Sequence, residues 1–199
     1  MNLPNKITLS RIALTFVFMI FLFTDSLAGK ITALALFLVA SATDFLDGFL
    51  AKKYSITSDF GRIMDPVADK LLTIAAFLAF VEMKLVPAWM VVVIIFRELV
   101  ITSIRLRALV KGDVLTAGTG GKGKTFSQIL TIFIILVFIV VKEAGVSVLG
   151  FWNADLEYWY RQLIYIMMLV TVALTVFSGA SYMIGNKKYL FNGVDDEEK

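Results

Sequence analysis

Six apolar stretches, each close to the length that crosses a lipid bilayer, constrain this chain more than any other feature of it. A hydrocarbon core about 30 Å thick takes roughly 20 apolar helical residues to span. The stretches run over about residues 9–25, 31–53, 62–82, 87–110, 126–143 and 160–185. Short polar or glycine-bearing junctions separate them: Thr24-Asp25, Gly29-Lys30, residues 55–61, 84–87 and 112–124. The longest connection, 144–159, ends in aromatic residues, and Trp152, Tyr158, Trp159 and Tyr160 read as an interfacial belt. Composition agrees: 59% of residues are hydrophobic and 18% charged, against roughly 45–50% and about 25% in a soluble domain. The expected fold is therefore an all-α integral membrane protein of six transmembrane helices, one domain over residues 1–199.

Lysine and arginine set the orientation of such a bundle. With six spans, Lys6, Arg11, Lys52, Lys53, Arg62, Arg105, Arg107, Lys111, Lys122, Lys124, Lys187, Lys188 and Lys199 fall on one side, and Lys30, Lys84, Lys142 and Arg161 on the other. That bias puts both termini in the cytoplasm, in a multi-pass protein of the cell (inner) membrane. The first span also has features of a signal peptide, since Ser26-Leu27-Ala28 resembles a small-residue cleavage site. Five further spans make a retained first helix the simpler expectation. Residues 2–11, with Leu3, Ile7 and Leu9 interleaved with Lys6 and Arg11, form either a short amphipathic lead-in or a plain polar cap. The acidic end within 192–199 reads as a solvated tail. A net charge of +3 is mild and points to orienting loop charges, with no nucleic-acid partner.

The chain has no histidine and no cysteine. Disulfides, thiol nucleophiles, Cys/His zinc sites and a histidine base are excluded, which leaves Asp, Glu, Lys, Arg, Ser, Thr and Tyr for chemistry. An ionised side chain inside an apolar span costs a few kcal/mol or more and persists mainly where it faces a cavity or partner. Asp44 and Asp47 stand late in span two, Asp65 and Asp69 early in span three. Separations of three and four residues put each pair on one helix face, and a short loop makes the two spans antiparallel neighbours, so the pairs can meet at one depth. Four carboxylates that close need cations to stay ionised, and hard divalent ions with oxygen ligands, Mg²⁺ or Mn²⁺, suit them. Gly48, Ala51 and Gly61 leave room for a bulky ligand, while Lys52, Lys53 and Arg62 place positive charge at the cytoplasmic rim. Acids for metal, small residues for access and cations for phosphate fit a diphosphate site. The alternative is structural: carboxylates ion-paired with Lys70, Arg97 or Arg105 inside the bundle.

The run Asp44-x2-Asp47-Gly48-x2-Ala51-Lys52-x8-Gly61-x3-Asp65-x3-Asp69 resembles the signature of the CDP-alcohol phosphatidyltransferases, D-x2-D-G-x2-A-R-x8-G-x3-D-x3-D. Lys52 departs from the usual Arg; it keeps the charge and loses the planar fork that grips phosphate bidentately. Further likeness in residues 2–8, 65–70, 87–90, 97–98 and 123–125 is to the branch of the family whose acceptor is glycerol 3-phosphate. The resemblance implies transfer of a phosphatidyl group from CDP-diacylglycerol to the sn-1 hydroxyl of glycerol 3-phosphate, with release of CMP. It implies two divalent ions, one held by Asp44, Asp47 and Asp65 and one by Asp47, Asp65 and Asp69, with Asp69 also the general base. It places Gly48, Ala51, Lys52, Ser58 and Gly61 at the CDP-diacylglycerol site, closed by Asn5 and Thr8. The acceptor's phosphate then calls for cations, and Arg62, Arg97, Arg105, Lys122 and Lys124 are the candidates. Arg97-Glu98 is equally readable as a structural pair, and Lys122 and Lys124 as ordinary cytoplasmic-side charges. A homodimer is also implied; Gly179, Ala180, Ser181 and Gly185 permit close helix packing.

Two other readings compete. A cation transporter could use buried carboxylates as a relay, although all four acids lie near one face and spans one and six add none. Within the family, the acceptor could instead be inositol phosphate, serine, choline or phosphatidylglycerol, because acceptor choice rests on residues outside the motif.

Overall fold

A computed structural model describes the backbone of residues 3–50, 59–110 and 120–186, and the side chains of 9–43, 70–108 and 123–186. Every regular element among the described residues is helical: α1 (Leu3–Phe23), α2 (Leu27–Leu50), α3 (Asp59–Glu82), α4 (Ala88–Val110), α5 (Gly120–Ala144), a π-helical turn (Gly145–Leu149) and α6 (Ala154–Gly185). Each helix overlaps one expected span. Two of the apolar segments, Gly123–Leu149 and Ala154–Gly185, are long and apolar enough to cross a membrane, and shorter apolar lengths occupy Leu9–Phe23 and Leu27–Thr43. Charges interrupt α3 and α4, which carry Lys70, Arg97, Glu98 and Arg105 within their lengths.

Two boundaries differ from expectation. The lead-in before span one is continuous with it, because Pro4 stands in the first turn of α1, where its missing N–H costs nothing, and no breaker follows. The long connection before span six is mostly helical. The π-turn prolongs α5, Gly150 reverses the chain with φ +65°, and Asn153 caps α6 by accepting a hydrogen bond from the Leu156 N–H at 2.8 Å.

α1 packs on α2 and α3, α3 on α4, α2 on α5, α5 on α6, and α4 on α6. Their shared core holds Phe18, Phe37, Phe77, Phe80, Met90, Ile135, Phe138 and Met168, all essentially inaccessible. A second small cluster, Ile101, Ile104 and Ala108, closes α4 against Tyr182 and Met183 of α6.

The turns are fastened by polar contacts. Gly29 packs so closely on the preceding turn that a Cβ there would lie 2.9 Å from Thr24 Cβ. The neighbouring Lys30 ammonium donates to the Leu22 carbonyl at 2.7 Å, satisfying an orphan acceptor at the end of α1. At the same end of the bundle Arg161 donates to the Lys84 carbonyl, and Glu157 gathers Arg161, Lys142 and the Trp152 indole.

Half of the expected aromatic belt turns inward. Trp152 and Tyr160 stack at 5.7 Å and both pack on Phe138, whereas Tyr158 and Trp159 are exposed. The outward face of α6 is broadly apolar, with Ile166, Val170, Val176 and Phe177 all open; the last is 76% exposed. So much contiguous apolar surface is a burden in water and suits contact with lipid or another apolar partner.

Candidate active site

Asp44 and Asp47 belong to the last two turns of α2, and Asp65 and Asp69 to the first three turns of α3. The described lengths of those helices both pack on α1 and on α5. Side-chain positions of the four acids lie outside the described residues, as do those of Asn5, Thr8, Gly48, Gly61, Arg62 and Lys122; Ala51, Lys52 and Ser58 lie outside them altogether. Among the described residues no group of three or more carboxylates stands together. The donor set on α2 and α3, four carboxylates and nothing softer, is the kind a hard divalent ion takes.

Among the described residues, the expected phosphate cations fall in two groups. Arg97 and Lys124 come together; Arg105, two turns further along α4, is exposed and lies over the Tyr182 ring at 5.5 Å. What brings the first two together is Glu98. Its side chain is 6% exposed, and its carboxylate accepts from the Lys124 ammonium and from Gln128 Nε2 at 3.3 Å. Arg97 Nη1 stands 3.5 Å from the same carboxylate and Lys70 Nζ 3.6 Å. One buried acid therefore joins α3, α4 and α5, and Arg97-Glu98 is indeed an ion pair, extended by two lysines. Lys70 follows Asp69 directly in sequence, so the cluster begins where the carboxylate motif ends. Lys70 thus pairs with Glu98, as Arg97 does.

Arg97 is held along its whole length. Its Nη2 donates to Ser178 Oγ at 3.1 Å, and its stem crosses α6 where Gly179 has no side chain: a Cβ there would lie 2.9 Å from Arg97 Cγ. Gly179 is thus occupied by a contact within the chain, whereas Ala180, Ser181 and Gly185 remain exposed. Arg97 Nε is buried without a hydrogen-bond partner among the described residues. Beneath this cluster Thr171 bridges α6 to α5 through Ser127 and Thr131, at 2.7 and 2.8 Å.

Glu98, Lys70 and Gln128 were not singled out as site residues from sequence. Glu98 gave a signal of the same kind as the four aspartates, an acid within an apolar span, but its neighbour Arg97 offered a local explanation. Gln128, one helical turn from Lys124, gave none.

An all-helical fold with two helices long and apolar enough to cross a membrane suits a membrane enzyme, and the comparisons supply the class, phosphate-group transfer. The family model for CDP-alcohol phosphatidyltransferase matches residues 1–184, and the chain belongs to that family. Over 197 residues it is 39% identical to a protein of Bacillus subtilis (strain 168) named CDP-diacylglycerol–glycerol-3-phosphate 3-phosphatidyltransferase, covering 93% of this chain and 95% of that one. A Rickettsia bellii (strain RML369-C) protein of the same name is 32% identical over 190 residues, covering 94% and 97%. A probable phosphatidylglycerophosphate synthase of Mycobacterium tuberculosis (strain H37Rv) is 39% identical over 134 residues, covering 66% and 64%. The chain is accordingly a membrane enzyme and a phosphatidyltransferase.

Proposed function

We infer that this chain transfers the phosphatidyl group of CDP-diacylglycerol to the sn-1 hydroxyl of glycerol 3-phosphate, giving phosphatidylglycerophosphate and CMP. The observation that carries the reading is a relationship over 93% of the chain to an enzyme named for that reaction, with all four motif aspartates in place. The acceptor oxygen attacks the phosphatidyl phosphorus as the bond from that phosphorus to the CMP oxygen breaks, and the hydroxyl proton passes to Asp69. Little covalent chemistry falls to the protein, so its work is alignment and charge neutralisation.

The family generally depends on divalent metal. Asp44, Asp47 and Asp65 would hold one Mg²⁺ or Mn²⁺, and Asp47, Asp65 and Asp69 a second. Such ions, when bound, offset the charge of the diphosphate and of the departing CMP. Gly48, Ala51, Lys52, Ser58 and Gly61 line the CDP-diacylglycerol site, with Asn5 and Thr8 of α1 closing it. Arg62, Arg97, Arg105, Lys122 and Lys124 receive the acceptor's phosphate; the convergence of Arg97 and Lys124 on one buried carboxylate supports that assignment.

In a CMP-release assay offering glycerol 3-phosphate, serine, inositol phosphate and phosphatidylglycerol in competition, glycerol 3-phosphate is consumed at least tenfold faster than any other. Preferential use of another acceptor contradicts the assignment and leaves the donor chemistry intact.

The six helices cross the cell membrane as six spans, with both termini and the active site cytoplasmic. Thirteen lysines and arginines against four support this orientation. The chain functions as one domain over 1–199, in a homodimer. Because it lacks cysteine, single substitutions report topology without background. Asp25→Cys and Asp155→Cys react with a membrane-impermeant maleimide on intact cells, and Lys188→Cys reacts only after permeabilisation. The reverse pattern overturns the orientation.

A further inference from the structure

We propose that Glu98 is a positioning residue for the acceptor: it holds Arg97 and Lys124 in the arrangement that receives the acceptor's phosphate, and thereby governs affinity for phosphate-bearing acceptors. The proposal rests on the function inferred above and deepens it.

Three cations converge on one carboxylate. Lys124 is 3% exposed and Glu98 6%, while Arg97 and Lys70, at 13% and 32%, form the open side. Left without Glu98, cations this close would repel one another, and each long side chain would turn toward whatever solvent it could reach. With Glu98 present, Lys124 and Gln128 of α5 and Lys70 of α3 are tied to one point on α4. The formal balance of this group, one acid against three cations, leaves two positive charges unmatched among the described residues. A phosphate monoester dianion carries the complementary charge. Arg97 adds a geometric sign: Ser178 and the gap at Gly179 hold its side chain in place, and it stands with Lys70 on the open side of the cluster. A guanidinium already held in place is what an incoming phosphate oxygen requires.

Glu98 itself repels phosphate, so it does not touch the acceptor. Its contribution is that the cations are already in place when the acceptor arrives, which removes the cost of ordering them on binding. A neutral alcohol gains nothing from this arrangement.

The test uses purified full-length protein in detergent, wild type, Glu98→Gln and Glu98→Asp. Two readouts are taken: the rise in melting temperature caused by glycerol 3-phosphate or inorganic phosphate, which reads binding without catalysis, and steady-state CMP release. In the Gln variant the rise in melting temperature is lost. Its KM for glycerol 3-phosphate goes up at least tenfold, as expected for losing well-placed charge-assisted hydrogen bonds, while kcat stays within about threefold and the KM for CDP-diacylglycerol within about twofold. The Asp variant, charged but one methylene shorter, falls between the two, and it carries the test should the Gln variant not fold.

Equal phosphate-induced stabilisation in wild type and variants overturns the proposal. So does a parallel rise in both KM values with a fall in basal melting temperature, which is the mark of a merely structural ion cluster. If phosphate compounds stabilise the wild type and not the Gln variant while the wild type releases no CMP, the positioning role stands and the inferred reaction fails.

Discussion

Asp69→Asn lowers phosphatidyl transfer by a factor of about 10³ or more, with the melting temperature nearly unchanged. The size of the effect follows from the two tasks assigned to one carboxylate. A positioned general base contributes typically 10²–10⁴-fold, and Asp69 is in addition one of three ligands proposed for the second divalent ion. Asparagine preserves shape but can neither take the acceptor's proton nor offer an anionic oxygen to the metal. Asp69 stands in the third turn of α3, and Asn for Asp there changes helix propensity little, so a loss of folding is not the expected route to inactivity. Asp44→Asn, which removes a ligand from one ion only and no base, is expected to cost less. Activity of Asp69→Asn within tenfold of wild type excludes Asp69 as the base.

Gly179→Ala raises the KM for glycerol 3-phosphate about tenfold and leaves that for CDP-diacylglycerol nearly unchanged. This is a large effect for one methyl group on α6, and it follows from what the methyl group meets. The added Cβ would sit 2.9 Å from Arg97 Cγ and 3.3 Å from its Nε. Cγ lies near the root of the side chain and cannot move aside alone, so the whole guanidinium shifts or α4 and α6 separate. Either movement stretches the contact to Ser178 Oγ and the pairing with Glu98. A misplaced charge-assisted bond to phosphate is worth about 1.5–3 kcal/mol, or roughly ten- to a hundredfold in affinity. Gly185→Ala on the same helix meets nothing within 4 Å and serves as the control. Equal kinetics for the two variants would remove Arg97 from the acceptor site.

The helices were legible in sequence because apolar runs of bilayer length are a strong and local signal. α1 and α3 end close to where polar junctions place them. The connection from α5 to α6 was less so: its glycines and aromatics read as a loop, whereas the stacking of Trp152 and Tyr160 on Phe138 draws it into the fold. No local pattern distinguishes an aromatic residue that faces lipid from one that turns back onto the bundle. The four aspartates stand out as candidates by spacing alone. Lys70, Glu98 and Gln128 do not, because they come from three helices and their association depends on how α3, α4 and α5 cross. Gly179 is a similar case. In sequence it is one of several small residues suited to helix pairing, and only the path of Arg97 across it shows which partner it accommodates.

The most direct test of the central claim follows the phosphorus of glycerol 3-phosphate into lipid. Purified protein, CDP-diacylglycerol, Mg²⁺ or Mn²⁺ and ³²P-labelled glycerol 3-phosphate yield chloroform-soluble label in equal molar amount to CMP, and Asp69→Asn yields neither above background. CMP released without label entering lipid, or label entering lipid at the same rate with Asp69→Asn, contradicts it.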